Sequence, residues 1–290
     1  MSLGIALAGG GLKGLAYIGV FKALEELNIR PEFLSGTSSG SVFATMYALR
    51  CTPEEMKEKA LMYYKMITKI KKGPIFKAGY TYLTSGVARL EGLIPGENIE
   101  NLVKIVTEEK KKINMNELDI SYAIATVDTI STKECIFLSK DYKLKNKDID
   151  YVYNAPIAKA TRASMSFPGI FTPCQYEKYN FIDGGTKDNL PVGVLKDMGA
   201  TKTIGISFRI DDYEPKEDIF GILLRTVDIF SLKDVRKAQE DSDLAIEIDA
   251  SGTSLLEIDD IDKVINTGYN TIMQNKEKIL ALLDEQTVEN

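Results

Sequence analysis

The sequence has no histidine and no tryptophan, and only three cysteines among its 290 residues. Without imidazole, a Ser-His-Asp or Cys-His relay is excluded, and the commonest transition-metal ligand is missing. Any side chain that removes a proton at neutral pH would have to be a carboxylate or a lysine with a displaced pKa. Cys51, Cys135 and Cys174 are odd in number, far apart and without a C-x-x-C pair. Neither a disulfide framework nor a zinc site is indicated, and buried free thiols are expected. A metal site would need carboxylates alone, and none cluster at ligand spacing. Positive charge is also in deficit. With 36 Lys and Arg against 42 Asp and Glu, the net charge is -6 and the cations are scattered, so the sequence carries no nucleic-acid footprint. No apolar run approaches membrane-spanning length, and the first residues lack the basic start of a secretory leader. A soluble, cytoplasmic protein is the expectation.

What is present is a globular composition, 44% apolar, long enough for one large α/β domain. Gly4 to Ala8 reads as a strand buried on both faces. A glycine-rich turn follows, then a helix carrying Ala16, Val20, Ala23, Leu24 and Leu27. Phe33-Leu34-Ser35 reads as a second strand, and Val42, Phe43, Tyr47 and Leu49 as a second helix. This alternation predicts a mostly parallel sheet with helices on both sides. Thr52-Pro53-Glu54-Glu55 is a capping box. It opens a helix striped by Met56, Ala60, Tyr63, Ile67 and Ile70 and accompanied by Lys57, Lys59, Lys65, Lys69, Lys71 and Lys72. Core packing is the simpler account of that stripe, although a basic amphipathic helix can also rest on a membrane surface.

Residues 73–96 predict a loop or cap, and 140–150 a surface loop. Further strands are predicted over 122–127, 134–138, 181–182, 204–208 and 245–248. Further helices are predicted at 155–165, 192–198, 217–232 and 260–284, with one also around Ile99 to Val106. No linker, repeat or composition break divides the chain, so a single domain is the simplest partition.

Three glycine motifs fall at strand ends. Gly9-Gly10-Gly11-Leu12-Lys13-Gly14 matches G-x-G-x-x-G between a strand and a helix, as in a dinucleotide-binding turn. The acidic residue expected at the end of the next strand is absent, however, since that strand ends in Gly36-Thr37-Ser38. Such a loop can equally offer bare N–H groups to a developing oxyanion. Gly36-Thr37-Ser38-Ser39-Gly40 matches G-x-S-x-G, which presents a serine at a sharp strand-to-helix turn. Taken alone it could be only a tight turn. The neighbouring glycine loop, ending the adjacent strand, strengthens the reading of Ser38 as a nucleophile. Asp183, led out of a strand by Phe181-Ile182 and followed by Gly184-Gly185, is the best candidate for the base. It would need partial desolvation to work at neutral pH.

Together these motifs resemble the patatin-like phospholipases, bacterial-type serine lipid acyl hydrolases with a Ser-Asp dyad. Gly9 to Gly14 is similar to the family's oxyanion loop, Gly36 to Gly40 to its nucleophile elbow, and Asp183-Gly184-Gly185 to its D-G-A/G motif. Further similar stretches are Ala163 to Pro168 with Phe171 and Pro173, then Asp188-Asn189-Leu190-Pro191 and Ile265-Asn266-Thr267-Gly268-Tyr269. Ser166 stands where many members have alanine.

The resemblance spans a domain over 4–275, leaving a C-terminal helix end and tail over 276–290. It implies a three-layer α/β/α fold and hydrolysis of a lipid or other acyl ester through an acyl-enzyme on Ser38, with Asp183 as base. The implied oxyanion donors are in Gly9, Gly10 and Gly11, and chiefly the N–H groups of Gly10 and Gly11. Lys13, Gly14, Gly36, Gly40, Gly184 and Gly185 support the site. Neither a cofactor nor a metal is implied, nor a stable partner; a transient membrane-surface contact is left open. Two other readings stay open from the residues: a nucleotide-binding protein using Gly9 to Gly14, and a membrane-interaction protein whose hydrolase motifs are idle.

Overall fold

The computed structural model describes residues 2–67, 94–209, 219–250 and 260–284. Strand β1 (Leu3–Leu7) is buried along its whole length and pairs in parallel with β2 (Phe33–Thr37) on one side and β8 (Lys202–Phe208) on the other. β3 (Ser121–Asp128) lies parallel to β2, and β9 (Leu244–Ile248) parallel to β8. β4 (Glu134–Leu138) returns antiparallel to β3, and β5 (Ile149–Tyr153) follows β4 in parallel at the edge. The order is β5-β4-β3-β2-β1-β8-β9, with the hairpin of β6 (Cys174–Tyr176) and β7 (Tyr179–Asp183) attached to β3. The mostly parallel sheet expected from the alternating pattern is therefore present.

Two of these strands escape the sequence patterns. β5 overlaps the expected surface loop. It is an edge strand in which only Val152 is buried, so no alternation marks it. β6 is too short to show a period.

Helices cover the sheet: α1 (Ala16–Glu26), α2 (Ser39–Ala48), α3 (Pro53–Ile67), α4 (Glu97–Glu109), α5 (Ile157–Ser164), α6 (Val192–Asp197), α7 (Ile219–Asp241), α8 (Ile261–Gln274) and α9 (Lys276–Asp284). The capping box forms as predicted, with the Thr52 N–H donating to Glu55 Oε2 at 2.8 Å and the Glu55 N–H to Thr52 Oγ1 at 3.2 Å. Met56 and Ala60 of the stripe are buried. Lys59, expected on a solvated face, is buried against Glu109 at 2.8 Å, and Lys57 pairs with Asp262. This part of α3 is thus held to the body of the protein; Ile70, Lys69, Lys71 and Lys72 lie outside the described residues, as do 73–93 of the expected loop or cap.

α7 runs well past its expected end. Its polar second half carries only Val235 and Ala238 into the core, too sparse a pattern to read from sequence. The helix expected over 260–284 is two, divided at Asn275. α8 crosses α1 closely: a Cβ on Gly268 would stand 1.9 Å from the Ala16 carbonyl oxygen, and one on Gly19 would stand 1.9 Å from that of Ile265. This contact gives the Ile265 to Tyr269 stretch a packing role. The three cysteines are free and buried.

Candidate active site

The register of β3 explains how residues so distant in sequence meet. One flank of β3 is taken by β4 from Ala123 to Val127. The other is taken by β2 only as far as Ala125, opposite Thr37. Above that point β7 continues on the flank that β2 vacates, antiparallel to β3, with Asp183 opposite Thr126. β2 therefore runs up to the carboxyl edge of the sheet while β7 runs down towards it, and the two ends face each other one rung apart. Ser38 follows the first end and Asp183 closes the second. The sequence places Asp183 at this edge; the direction of its strand is the structure's contribution.

Ser38 has φ 52° and ψ -126°, a sparsely populated conformation for a non-glycine residue that costs about 1–3 kcal/mol unless its surroundings impose it. The surroundings do. A Cβ on Gly40 would lie 2.3 Å from the Leu7 carbonyl oxygen, and one on Gly36 would lie 2.8 Å from the Gly40 backbone, so the elbow is pressed against β1. The Ser38 carbonyl accepts the Ser41 N–H at 3.0 Å and the Ser41 hydroxyl at 2.6 Å, and its N–H donates to Ser164 Oγ at 2.9 Å. The backbone is thus held on both sides while the side chain is half-buried and reachable. Its hydroxyl donates to Met165 Sδ at 3.9 Å, a weak acceptor that leaves it free to turn.

Asp183 is buried, with 1% of its surface exposed. Oδ1 accepts the Gly185 N–H at 2.8 Å, but Oδ2 has no hydrogen-bond partner among the described residues. Burial pushes the carboxyl up to about 7, against the lowering influence of the Ser38 hydroxyl and the Gly185 N–H. The Ser38 hydroxyl thus acts on the carboxyl, favouring its ionised form. Gly184 admits this turn because a Cβ there would lie 2.4 Å from the Ala125 carbonyl oxygen. The result is a carboxylate poised near neutrality with one empty oxygen beside a serine, the desolvation that the sequence alone could only require.

The glycine loop closes a third side. The Gly9 N–H donates to Asn189, at 3.1 Å to Oδ1 and 3.3 Å to the carbonyl oxygen, and the Gly10 N–H donates to Ser39 Oγ at 3.1 Å. Among the described residues, the N–H groups of Gly11 and Ser39 make no hydrogen bond. Of the two N–H groups implied as chief donors, that of Gly10 is engaged and that of Gly11 is not. Gly10 has φ 179°, an extended geometry open to any residue; its constraint is steric, since a Cβ would stand 2.5 Å from the Phe208 ring. Gly11, at φ 58°, is the position that uses glycine's freedom. Gly14 lies where a Cβ would meet Ser39 at 2.7 Å, and Lys13 is buried in the same turn.

Some residues at this site were visible only as unexplained motif letters. Asn189 fastens the glycine loop and lies against Gly185, where a Cβ would come 3.0 Å from its Oδ1. The Asp188 carbonyl accepts the Thr37 hydroxyl at 2.8 Å. The Asp188 carboxyl is raised by burial and then by Asp234, and neighbouring Glu134 is raised by burial and then by Asp188.

Comparison with known proteins identifies relatives of this chain. The chain is 27% identical over 213 residues to "Patatin-like phospholipase domain-containing protein 6" of Mus musculus, a match covering 73% of this chain but only 14% of that protein. It is 29% identical over 216 residues to "Lysophospholipase nte1" of Aspergillus oryzae, covering 74% of this chain and 12% of that one. The chain thus spans a small part of the length of both relatives. In three dimensions it resembles the crystal structure of VipD from Legionella pneumophila, with a TM-score of 0.51 at 14% identity over 96% of this chain and 67% of that one. That likeness extends to the fold, a mixed, mostly parallel sheet flanked by helices. The model of the family described as patatin-like phospholipase matches residues 5–196, well over half the chain, and the chain belongs to that family.

Proposed function

We propose that this chain is a lipid acyl hydrolase working through a Ser38-Asp183 dyad. The observation that carries the reading is the buried, unpartnered Oδ2 of Asp183 beside the Ser38 hydroxyl, on a carboxyl raised to about 7. Ser38 Oγ attacks the ester carbonyl carbon as its proton passes to Asp183, and the tetrahedral oxyanion is held by the N–H groups of Gly11 and Ser39. Gly9 and Gly10 hold the loop in place through Asn189 and Ser39. Collapse of the intermediate breaks the bond to the leaving alkoxide, which takes the proton from Asp183. Water then attacks the acyl-enzyme, giving its proton to Asp183 and releasing the acid, and the proton returns to Ser38. The names of the two relatives support a phospholipid or lysophospholipid as the acyl donor. A nucleotide phosphate is a poorer fit to the glycine loop, because the Gly9 and Gly10 N–H groups it would need are already engaged.

The test is hydrolysis of p-nitrophenyl esters and of a mixed lipid extract, with products identified by mass spectrometry. Turnover should rise about tenfold per pH unit below a midpoint near 7 and then level, as the ionised carboxylate is the active form. A fluorophosphonate should label Ser38 once, even in EDTA, and labelling should disappear in Ser38→Ala. An adduct on Ser39, or turnover surviving in Ser38→Ala, would defeat the assignment.

A further inference from the structure

The end of α5 touches both members of the dyad within three consecutive residues. The Ser38 N–H donates to Ser164 Oγ at 2.9 Å, the Ser38 hydroxyl to Met165 Sδ at 3.9 Å, and the Asp183 N–H to the Ser166 carbonyl oxygen at 3.0 Å. This segment is itself fixed. Ser164 is fully buried and donates to the Ala125 carbonyl oxygen at 2.7 Å, at the rung where β2 ends and β7 takes over. Ser166 Oγ receives the Arg162 guanidinium, which also donates to the Thr172 carbonyl oxygen at 2.6 Å and to Thr172 Oγ1 at 2.9 Å. Arg162 is 2% exposed, so its anchor is not a mobile surface contact.

We infer that Ser164 is a positioning residue for the reaction, its hydroxyl holding the strained elbow so that the Ser38 side chain stays aimed at Asp183. The inference rests on the dyad reading above. Ser166 acts through a main-chain carbonyl that any residue would supply, and the Met165 sulfur is a weak acceptor. Of these three residues, Ser164 alone uses its side chain on the nucleophile's backbone, at the N–H, while the Ser41 hydroxyl holds the carbonyl. Removing that oxygen leaves the Ser38 N–H without its acceptor at a turn that needs external support to keep φ 52°. A nucleophile displaced by about 1 Å can lose roughly a hundredfold in rate while binding is barely altered.

The experiment compares Ser164→Ala with Ser139→Ala. Ser139 is a suitable control because it makes the same kind of bridge at the far end of β3. It accepts the Tyr122 N–H at 2.8 Å and donates to the Ile120 carbonyl oxygen at 3.3 Å, with 1% exposure. In Ser164→Ala, kcat for a small ester should fall roughly ten- to hundredfold with KM within about twofold. The pH midpoint should move upward, because the hydroxyl that lowers Asp183 has drifted from it. Ser139→Ala should keep both kcat and midpoint while losing a similar amount of Tm.

If Ser164→Ala does not fold, Ser164→Cys carries the test, since its thiol is nearly isosteric and a poorer hydrogen-bonding group; it should show the same changes in milder form. Wild-type kcat and midpoint in whichever variant folds, or an equal kcat loss in Ser139→Ala, would overturn the inference. Ser38→Ala run alongside separates the two levels. If it is inactive while Ser164→Ala behaves as wild type, only the positioning role falls; if it is active, the dyad falls and the positioning role with it.

Discussion

Asp183→Asn should destroy turnover and yet make the protein more resistant to alkaline pH, and the size of the second effect follows from the burial of one carboxyl. In the unfolded chain Asp183 has its ordinary pKa of 3.8, whereas in the fold it is raised to about 7. Below pH 3.8 both states hold the proton and the group does not affect stability. Above it the unfolded chain ionises first, so native stability falls as pH rises and the loss is complete once pH passes about 7. At about 1.4 kcal/mol per unit, the loss is roughly 4 kcal/mol in all, of which about 3 kcal/mol falls between pH 5 and pH 8.

Asparagine removes this dependence. It keeps an oxygen for the Gly185 N–H but puts an NH2 where Oδ2 has no partner, at a cost of about 1–3 kcal/mol that does not vary with pH. The informative quantity is therefore the change with pH of the difference between the two proteins, in which the other raised carboxyls, Glu134 and Asp188, cancel. Urea unfolding at pH 5, 6, 7 and 8 should show Asp183→Asn gaining about 3 kcal/mol on the wild type across the series, with esterase turnover reduced by several orders of magnitude throughout. A difference that stays flat with pH would mean the carboxyl is not held near neutrality. A variant retaining more than about a tenth of the wild-type rate would mean it is not the base.

Gly10→Val should lower kcat by about 10²–10³, because its side chain meets the Phe208 ring and displaces the loop that bears the Gly11 N–H; wild-type turnover in the folded variant would show that the loop takes no part in the chemistry. Gly268→Ala should lower Tm by several degrees by forcing α8 away from the Ala16 carbonyl, leaving the kcat of the folded fraction unchanged; an unchanged Tm would mean that this crossing yields readily.

The candidate site was legible where its chemistry is local. Gly36 to Gly40 and Asp183 to Gly185 announce themselves because sharp turns restrict residue type, and the missing histidine left a carboxylate as the natural base. The relations between those turns were not legible. Nothing near Asp183 reveals that β7 descends onto the flank of β3 vacated by β2, since that depends on where two strands of different length end. The allocation of the loop's N–H groups depends on Asn189 and Ser39, which reach it from other elements. Ser164 lay inside a recognised stretch, but a serine on a short helix says nothing of the backbone it will meet. In the fold, buried parallel strands stood out through their apolar runs, whereas the half-exposed edge strand β5 and the polar second half of α7 did not.

Because Thr37, which leads directly into Ser38, and Asp183 are seated on consecutive rungs of one strand, the distance between the two groups along the chain has no bearing on their distance in space. Extra residues could be added in the connection after β3, in the loop before β5 or at the tip of the β6–β7 hairpin without moving either group, since none of those segments carries a rung between them. A single residue added within β7 would instead turn the carboxylate to the opposite face of the sheet. Descendants of this chain can therefore grow at the hairpins and acquire new surfaces there, while the lengths of β3 and β7 stay fixed for as long as the site is used.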